Sequence, residues 1–159
     1  MNWTDGEIDG VILGPIGRFS DSRGWLSELF RSDEIDSVVM PRMGYVSLTY
    51  PGVSRGPHEH VEQSDMFAFL GPGNFELRCW DHRPESPTLG NTLLIVVGVD
   101  NPMAVIVPPC VVHGYTNVSD VDGLVMNFPN RLYAGQGKSE AVDEIRHEDD
   151  PAGLFSMGD

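Results

Sequence analysis

Turn-forming residues interrupt this 159-residue chain so often that long helices have little room. Eighteen glycines and twelve prolines are spread along it, and both residue types tend to end regular elements. Between them lie short runs rich in β-branched and aromatic residues, for example residues 45–50, 75–81, 93–97 and 103–108, a composition typical of strands. Eight or more such runs at near-regular spacing predict an all-β fold, namely a jelly-roll β-sandwich or cupin-like barrel.

The length fits one domain with a substantial core better than two, so residues 1–159 are interpreted as a single cupin-like domain. After Pro129 the strand pattern fades. Residues 134–138 are typical of a loop, and residues 140–147 are predicted to form a short C-terminal helical segment. Earlier in the chain, the alternation over residues 25–30 predicts a strand that carries Glu28.

The charge balance narrows the classes of partner. Acidic residues outnumber basic ones 24 to 10, the net charge is −14, and the sole lysine is Lys138. Such an excess repels nucleic acid and anionic membranes, so neither is expected as a partner. An anionic small molecule would have to be received by a few well-placed arginines.

Two features bear on the compartment. Cys79 and Cys110 are far apart and lie in strand-like runs, which favours free thiols in a reducing compartment over a disulfide framework. The chain shows neither a basic, apolar leader nor an apolar stretch of about 18 residues. A cytoplasmic protein is therefore expected.

Three histidines stand out as candidates for chemistry. His58 and His60 are two residues apart, so on a strand their side chains share one face. His113 ends a later apolar run that follows a pair of prolines. A small barrel could gather these rings in its mouth, either as metal ligands or as acid and base groups.

Four segments, in this order and spacing, resemble the dTDP-4-dehydrorhamnose 3,5-epimerase family of the cupin superfamily. They are Asp21-x-Arg23-Gly24-Trp25-x-x-Glu28, Gly52-Val53-x-Arg55-Gly56-x-His58, Asp81-x-Arg83-x-x-Ser86-Pro87-Thr88-x-Gly90 and Pro108-x-x-x-x-His113-Gly114-Tyr115. The resemblance implies a jelly-roll homodimer that works on a nucleotide-diphosphate sugar without metal or organic cofactor. It also suggests a place in carbohydrate biosynthesis, such as that of dTDP-rhamnose.

The resemblance further implies roles for single residues. His58 and Asp150, with Asp149 as the alternative acid, would form a dyad that abstracts a proton next to the ketone of a 4-keto-6-deoxy sugar nucleotide. Such a proton is weakly acidic, so a base and a group that stabilises the enolate are both needed. The remaining matched residues would bind substrate: Arg23 and Arg55 through the diphosphate, and Trp25, Glu28 and His113 in the pocket.

The chain departs from the family at two catalytic positions. Counting without gaps places Met66 where members have a lysine that stabilises the enolate, and Asn127 where they have a tyrosine that acts as the acid. Met43 and Tyr45 replace amide side chains that contact the nucleotide. Epimerisation of a single carbon therefore becomes an alternative to epimerisation of two.

Two other functions remain open on sequence alone. His58, His60, Asp65 and His113 form a possible ligand set for a divalent transition metal, which would make the protein a metal-dependent cupin enzyme. Alternatively, it is a sugar-nucleotide-binding homologue without activity. Metal content tests the first alternative, and proton exchange into a sugar nucleotide tests the second.

Overall fold

The computed structural model describes residues 2–150 and 153–158, and its regular structure is almost entirely strand. The all-β prediction is confirmed. The described helices are two 3-10 turns, Ser37–Val39 and Gln136–Lys138, and neither is long and apolar enough to cross a membrane. The strands are β1 Thr4–Asp5, β2 Ile12–Pro15, β3 Phe19–Asp21, β4 Gly24–Leu26, β5 Tyr45–Thr49, β6 Ser54–Glu59, β7 Asp65–Phe69, β8 Asn74–Asp81, β9 Asn91–Gly98, β10 Met103–Val107, β11 Val111–Asn117, β12 Gly123–Asn127 and β13 Ile145–Arg146.

Two mainly antiparallel sheets form the sandwich. One has six strands in the order β1-β9-β8-β11-β6-β13, and the other has five in the order β2-β10-β7-β12-β5. Strands β3 and β4 form a separate hairpin. The two long sheets place β6 and β11 on one side of the interior and β7 and β12 on the other, which determines where the site residues meet.

Strand β7 is buried on both faces, and its alternation assigns each residue to one of them. Phe67 and Phe69 pack in the main core with Phe75 of the opposite sheet. Ala68 and Leu70 belong to a second apolar cluster on the outer face. Burying one phenylalanine side chain stabilises the fold by about 2 kcal/mol. Because side chains alternate along a strand, residues 65, 67 and 69 face the interior.

Two local predictions were wrong. Residues 140–147 are not helical, because Ile145 and Arg146 pair with β6 at the edge of the six-stranded sheet. This pairing overrides a weak local helix propensity. The strand predicted over residues 25–30 ends at Leu26, so Glu28 lies outside it. Both cysteines are free thiols, as predicted, with Cys79 buried and Cys110 half-buried.

The third of the sequence motifs forms a turn organised around one buried carboxylate. Asp81 ends β8 and is fully buried. It accepts hydrogen bonds from Nε and Nη2 of Arg83, both at 2.8 Å, and from the hydroxyls of Ser86 and Thr88. Burial alone would raise the pKa of Asp81, but these donors outweigh it and hold that pKa well below its usual range. The motif therefore stabilises the fold at this turn.

Replacement of Asp81 by asparagine is expected to lower the free energy of unfolding by about 3 kcal/mol at neutral pH, because it leaves the buried side of Arg83 without its carboxylate. The pKa of Asp81 is lower in the folded state than in the unfolded state. Its carboxylate therefore stabilises the fold at pH values above the unfolded-state pKa, and this stabilisation is lost as the pH falls through the folded-state pKa. The difference between the two proteins should therefore shrink below about pH 4. Urea unfolding at several pH values measures the loss of stability, with a variant of an exposed residue, Asp120→Asn, as the control. Equal losses in both variants would contradict a stabilising role of Asp81.

Candidate active site

A cavity of about 1120 Å³ opens between the two sheets and is closed on one side by residues 129–148. Strands β5, β6 and β11 supply its inner wall, and the stretch from Pro129 to Glu148, which we call the C-terminal wall, supplies the outer one. The volume is at the upper end of the range for small-molecule sites. It is large enough for a sugar nucleotide.

A β-bulge in β6 makes Arg55 and His58 both face this cavity. His58 pairs with His113 across the β6–β11 ladder, and Arg55 pairs with Tyr115, so three steps on one strand oppose two on the other. On a regular strand, residues three apart would point to opposite faces. Gly56 permits the bulge because its φ is +82° and a Cβ there would lie 2.7 Å from the carbonyl oxygen of His113.

The three histidines predicted from the sequence do meet, and Asp65 joins them from the other sheet. The His58 ring centroid lies 4.5 Å from that of His113 and 5.3 Å from that of His60. Asp65 Oδ2 lies 3.0 Å from His60 Nε2 and 3.2 Å from His113 Nε2. One ligand atom from each of the four residues lies within 4.8 Å of the others. We call these four residues the histidine cluster.

Electrostatic conditions differ between the members of this cluster. Burial, reinforced by His113 and His60, lowers the pKa of His58 to about 2, so its ring is neutral. Burial also acts to lower the pKa of His60, but the contacts with Asp65 outweigh it and raise that pKa. Burial would raise the pKa of the Asp65 carboxyl, yet the hydrogen bonds from His113 and His60 hold it below its usual range. Within the cluster, His58 is the neutral ring that lines the cavity.

Asn127 connects the cluster to Tyr45, which the sequence analysis noted only as a replacement for an amide side chain. The Asn127 amide donates to Asp65 Oδ1 at 3.0 Å and to the Tyr45 hydroxyl at 2.8 Å. Asn127 and Tyr45 are direct partners in the β12–β5 ladder. Because the Tyr45 oxygen accepts this bond and has no other partner among the described residues, its own proton is available to the cavity. Burial raises the pKa of Tyr45 to about 12, so the phenol stays protonated at neutral pH.

Basic and acidic residues balance in the cavity of this acidic protein, since five of each line it. Five of the ten basic residues line it: Arg42, Arg55, Arg131, Lys138 and Arg146. Arg131 pairs with Glu62 and Arg146 with Glu144. Arg42 and Arg55 form no ion pair with any described residue. Arg55 is held by Thr49 Oγ1 at 2.9 Å and the Leu48 carbonyl at 2.8 Å, which orients its guanidinium.

One residue of the C-terminal wall fixes both the loop after β6 and a ring of the cluster. The Asp143 carboxylate accepts hydrogen bonds from the amides of residues 61, 62 and 63, at 2.7 to 2.9 Å. Its backbone carbonyl accepts a hydrogen bond from His60 Nδ1. The orientation of His60 therefore depends on the position of the wall.

Of the five predicted substrate-binding residues, Arg55 lines this cavity, His113 is buried behind its wall, and the other three lie elsewhere. Arg23 and Trp25 are on the exposed β3–β4 hairpin, where Arg23 pairs with Asp21 and Trp25 stacks under Arg18 at 4.4 Å. Glu28 lines a separate cavity of about 300 Å³. Their contact with substrate stays a prediction.

The two departures counted along the sequence have different outcomes. Met66 faces the smaller cavity on the outer side of β7, so Asp65 is the residue that this part of the strand presents to the site. Asn127 does face the site, as described above. Counting along the sequence could not show that Met66 faces away from the site, because residues on both faces of β7 are buried.

Asp150 lies on the segment that follows β13. The pairing of β13 with β6 sets Arg146 opposite His58, and the His147 amide donates to the Pro57 carbonyl at 2.9 Å. The Asp150 amide then donates to the His147 carbonyl at 3.1 Å. Asp150 does not line the cavity, whereas Glu148 does, and its Oε1 accepts from the Gly56 amide at 3.1 Å. Glu148 is a second candidate carboxylate that the sequence did not single out.

Comparison with known proteins gives consistent results. The family model for dTDP-4-dehydrorhamnose 3,5-epimerase matches residues 5–152. The chain is 38% identical over 115 residues to the Haloferax volcanii protein described as "Probable low-salt glycan biosynthesis epimerase Agl13". The aligned region covers 72% of this chain and 73% of that protein. The chain is also 34% identical over 128 residues to the Bacillus subtilis spore coat polysaccharide biosynthesis protein SpsL. Here the aligned region covers 79% of this chain and 82% of that protein.

The fold is similar to that of a dTDP sugar isomerase from Desulfovibrio desulfuricans. The two superpose with a TM-score of 0.79 at 24% identity, over 94% of this chain and 91% of the other. This match confirms the predicted cupin-like architecture.

Proposed function

The chain belongs to the dTDP-4-dehydrorhamnose 3,5-epimerase family, and we propose that it inverts a carbon next to the ketone of a 4-keto-6-deoxy sugar bound to a nucleoside diphosphate. The protein is a nucleotide-sugar epimerase of this family. What we propose beyond that is its substrate and its mechanism. The observation that carries the proposal is the bulge in β6, which presents a neutral imidazole, His58, and a guanidinium, Arg55, to one cavity.

His58 is the proposed base. Its neutral ring takes the proton from the carbon next to the ketone, and the electron pair of the broken C–H bond forms an enolate with negative charge on the ketone oxygen. A positioned base of this kind contributes about 10²- to 10⁴-fold to the rate. Asp150 is proposed to position the ring from the segment that runs along β6, with Glu148 as the competing carboxylate.

Tyr45 is the proposed acid. Its phenol lines the same cavity, accepts from Asn127 and has a free proton. Return of that proton to the other face of the enolate carbon would give the inverted sugar, after which water restores both protonation states. Tyr45 therefore performs the task for which Asn127 has no ionisable group.

Arg55, with Arg42, is proposed to bind the diphosphate. Arginine suits this task because its planar guanidinium donates to two phosphate oxygens at once. The five acidic and five basic residues of the cavity cancel in charge, so an anion is repelled less there than by the rest of this acidic chain.

Replacement of Arg55 by alanine is expected to raise the KM for a dTDP-linked 4-keto sugar about 30-fold while kcat changes less than about 3-fold, because the lost contact is to a remote, non-reacting group. Arg23→Ala is the matched comparison and is expected to leave KM nearly unchanged, since Arg23 lies outside the cavity. Steady-state kinetics measures both. An equal rise in KM in the two variants would show that the β3–β4 hairpin also contributes to substrate binding.

The relatives suggest the biological setting. One is described as a glycan biosynthesis epimerase and the other as a spore coat polysaccharide biosynthesis protein. We therefore propose that the product is a sugar donor for a glycan or polysaccharide.

A homodimer also remains part of the proposal. Apolar side chains are exposed on the edge strand β2 and on the β3–β4 hairpin, among them Ile12, Phe19 and Leu26. Edge strands with apolar neighbours are commonly covered by a second chain.

The proposed function is tested by incubating the protein with dTDP-4-keto-6-deoxyglucose in deuterated water and following the C3 and C5 protons of the sugar by NMR. Loss of one or both signals, with an inverted product, is expected, and the carbon affected gives the regiochemistry. Binding of the nucleotide sugar without any exchange would instead identify a non-catalytic binding protein.

A further inference from the structure

Residues 153–158, which we call the C-terminal tail, pack on the outer face of the six-stranded sheet. Phe155 is the anchor of the tail. Its side chain is 7% exposed and belongs to an apolar cluster with Trp80 of β8 and Val112 of β11, two residues that pair across the ladder between these strands. The tail therefore covers the sheet on the side opposite the main core.

Hydrogen bonds hold the backbone of the tail on both sides of this anchor. Trp3 Nε1 donates to the Leu154 carbonyl at 3.2 Å. Arg78 Nη1 donates to the Ser156 carbonyl at 3.1 Å. Because the residues before and after the anchor are both fixed to other parts of the chain, the anchor has a defined position on the sheet.

The anchor contacts one residue of the segment that runs beside the proposed base. The ring centroids of Phe155 and His147 are 4.7 Å apart, within the range of favourable aromatic contacts. On its other side, His147 Nε2 lies 2.9 Å from Glu59 Oε1, and the His147 amide donates to the Pro57 carbonyl at 2.9 Å. His147 is thus held between the tail and β6.

His147 lies next to both carboxylates that compete to orient the base. Glu148 follows it directly, and the Asp150 amide donates to the His147 carbonyl at 3.1 Å. The Gly153 amide then donates to the Asp150 carbonyl at 3.0 Å, which connects this segment to the tail. Before His147, β13 pairs with β6 over two residues, and so short an edge pairing opens easily unless other contacts support it.

We propose that Phe155 is a positioning residue for the reaction: through His147 it fixes the segment from β13 to Asp150, and thereby the carboxylate that orients the ring of His58. This role rests on the proposed function, in which His58 is the base. Phe155 does not line the cavity, so it acts on the chemical step through this segment and not on binding. A catalytic group misplaced by about 1 Å can slow a reaction about 100-fold.

Replacement of Phe155 by alanine is tested first without any sugar, by amide hydrogen exchange. The His147 amide is expected to exchange at least about 10-fold faster relative to the amides of β10, because its bond to Pro57 opens more often once the tail contact is lost. Phe155→Leu keeps most of the apolar volume and should stay within about 3-fold of the wild type. An unchanged His147 amide in Phe155→Ala would overturn the proposal whatever the sugar assay shows.

Steady-state kinetics with the 4-keto sugar nucleotide then measures the effect on the reaction. In Phe155→Ala, kcat is expected to fall at least about 10-fold while KM stays within about 3-fold of the wild type, and Phe155→Leu should recover most of kcat. Ile8→Ala is the control for lost stability, because it removes a buried side chain of the main core. It should leave kcat within about 3-fold, and circular dichroism confirms that each variant is folded.

The outcomes separate this inference from the proposed function. An active wild type with an unchanged kcat in Phe155→Ala, or an equal loss of kcat in Ile8→Ala, would overturn the role of Phe155 alone. A rise in KM that accounts for the whole loss of kcat/KM would also overturn it, since the tail would then act on binding. A wild type that exchanges no sugar proton would refute the proposed function itself, and with it the catalytic part of this role.

Discussion

Replacement of His58 by alanine is expected to reduce deuterium exchange into the 4-keto sugar at least about 1000-fold, because His60, the other described histidine that lines the cavity, is held by Asp65 and by the Asp143 carbonyl. The base acts in the chemical step itself. Sugar-nucleotide binding should change little, since the diphosphate is proposed to bind Arg55 and Arg42 rather than His58. NMR exchange rates give the first quantity, and equilibrium binding of dTDP gives the second.

Two comparisons make this result specific. His82→Gln removes a histidine that follows β8, contacts Glu59 and does not line the cavity, and it should leave exchange within about 3-fold of the wild type. Metal content is measured on the wild type and on the His58 variant, so that the metal-dependent alternative is tested in the same samples. Equal exchange in wild type and His58→Ala would refute the assignment of the base.

The same assay identifies the positioning carboxylate. Asp150→Asn and Glu148→Gln each remove one negative charge near β6. The variant with the larger fall in kcat, at unchanged KM, contains the residue that orients His58.

Replacement of Tyr45 by phenylalanine is expected to separate proton removal from inversion. His58 should still exchange the substrate proton with deuterium, whereas formation of the inverted sugar should fall about 100- to 1000-fold, because the phenol that returns the proton is absent. Product analysis by NMR measures both rates in one sample.

Tyr133→Phe is the control for this variant. Tyr133 also lines the cavity, from the C-terminal wall, but it lies outside the hydrogen-bonded series from Tyr45 through Asn127 to Asp65. Its removal should change inversion less than about 3-fold. A full rate of inversion in Tyr45→Phe would show that the acid is another group.

Much of the fold could be predicted because strand patterns are local. The alternation in residues 75–81 and the apolar runs that became β9 and β10 indicate strands without any knowledge of their neighbours. The segment that became β13 could not be predicted in this way. Its two paired residues are extended because the edge of β6 is available to them, and that is a tertiary cause.

The site shows the same division. The spacing of His58 and His60 indicates a shared face, and the structure brings both together with His113. Strand alternation alone would turn Arg55 to the opposite face, and only the family resemblance implied that it shares the site, because its position depends on a bulge at Gly56. The sequence did not reveal the pairing of Tyr45 with Asn127, since strands distant in sequence meet only in the folded sheet.

The hydrogen bonds of Asp143 link access to the cavity with the geometry inside it. This one residue anchors the C-terminal wall to the loop after β6 and also fixes the His60 ring. A shift of the wall that carried Asp143 with it would break the hydrogen bond to His60 Nδ1 and the three bonds to the loop together. The position of the wall and the orientation of this imidazole are therefore mechanically coupled.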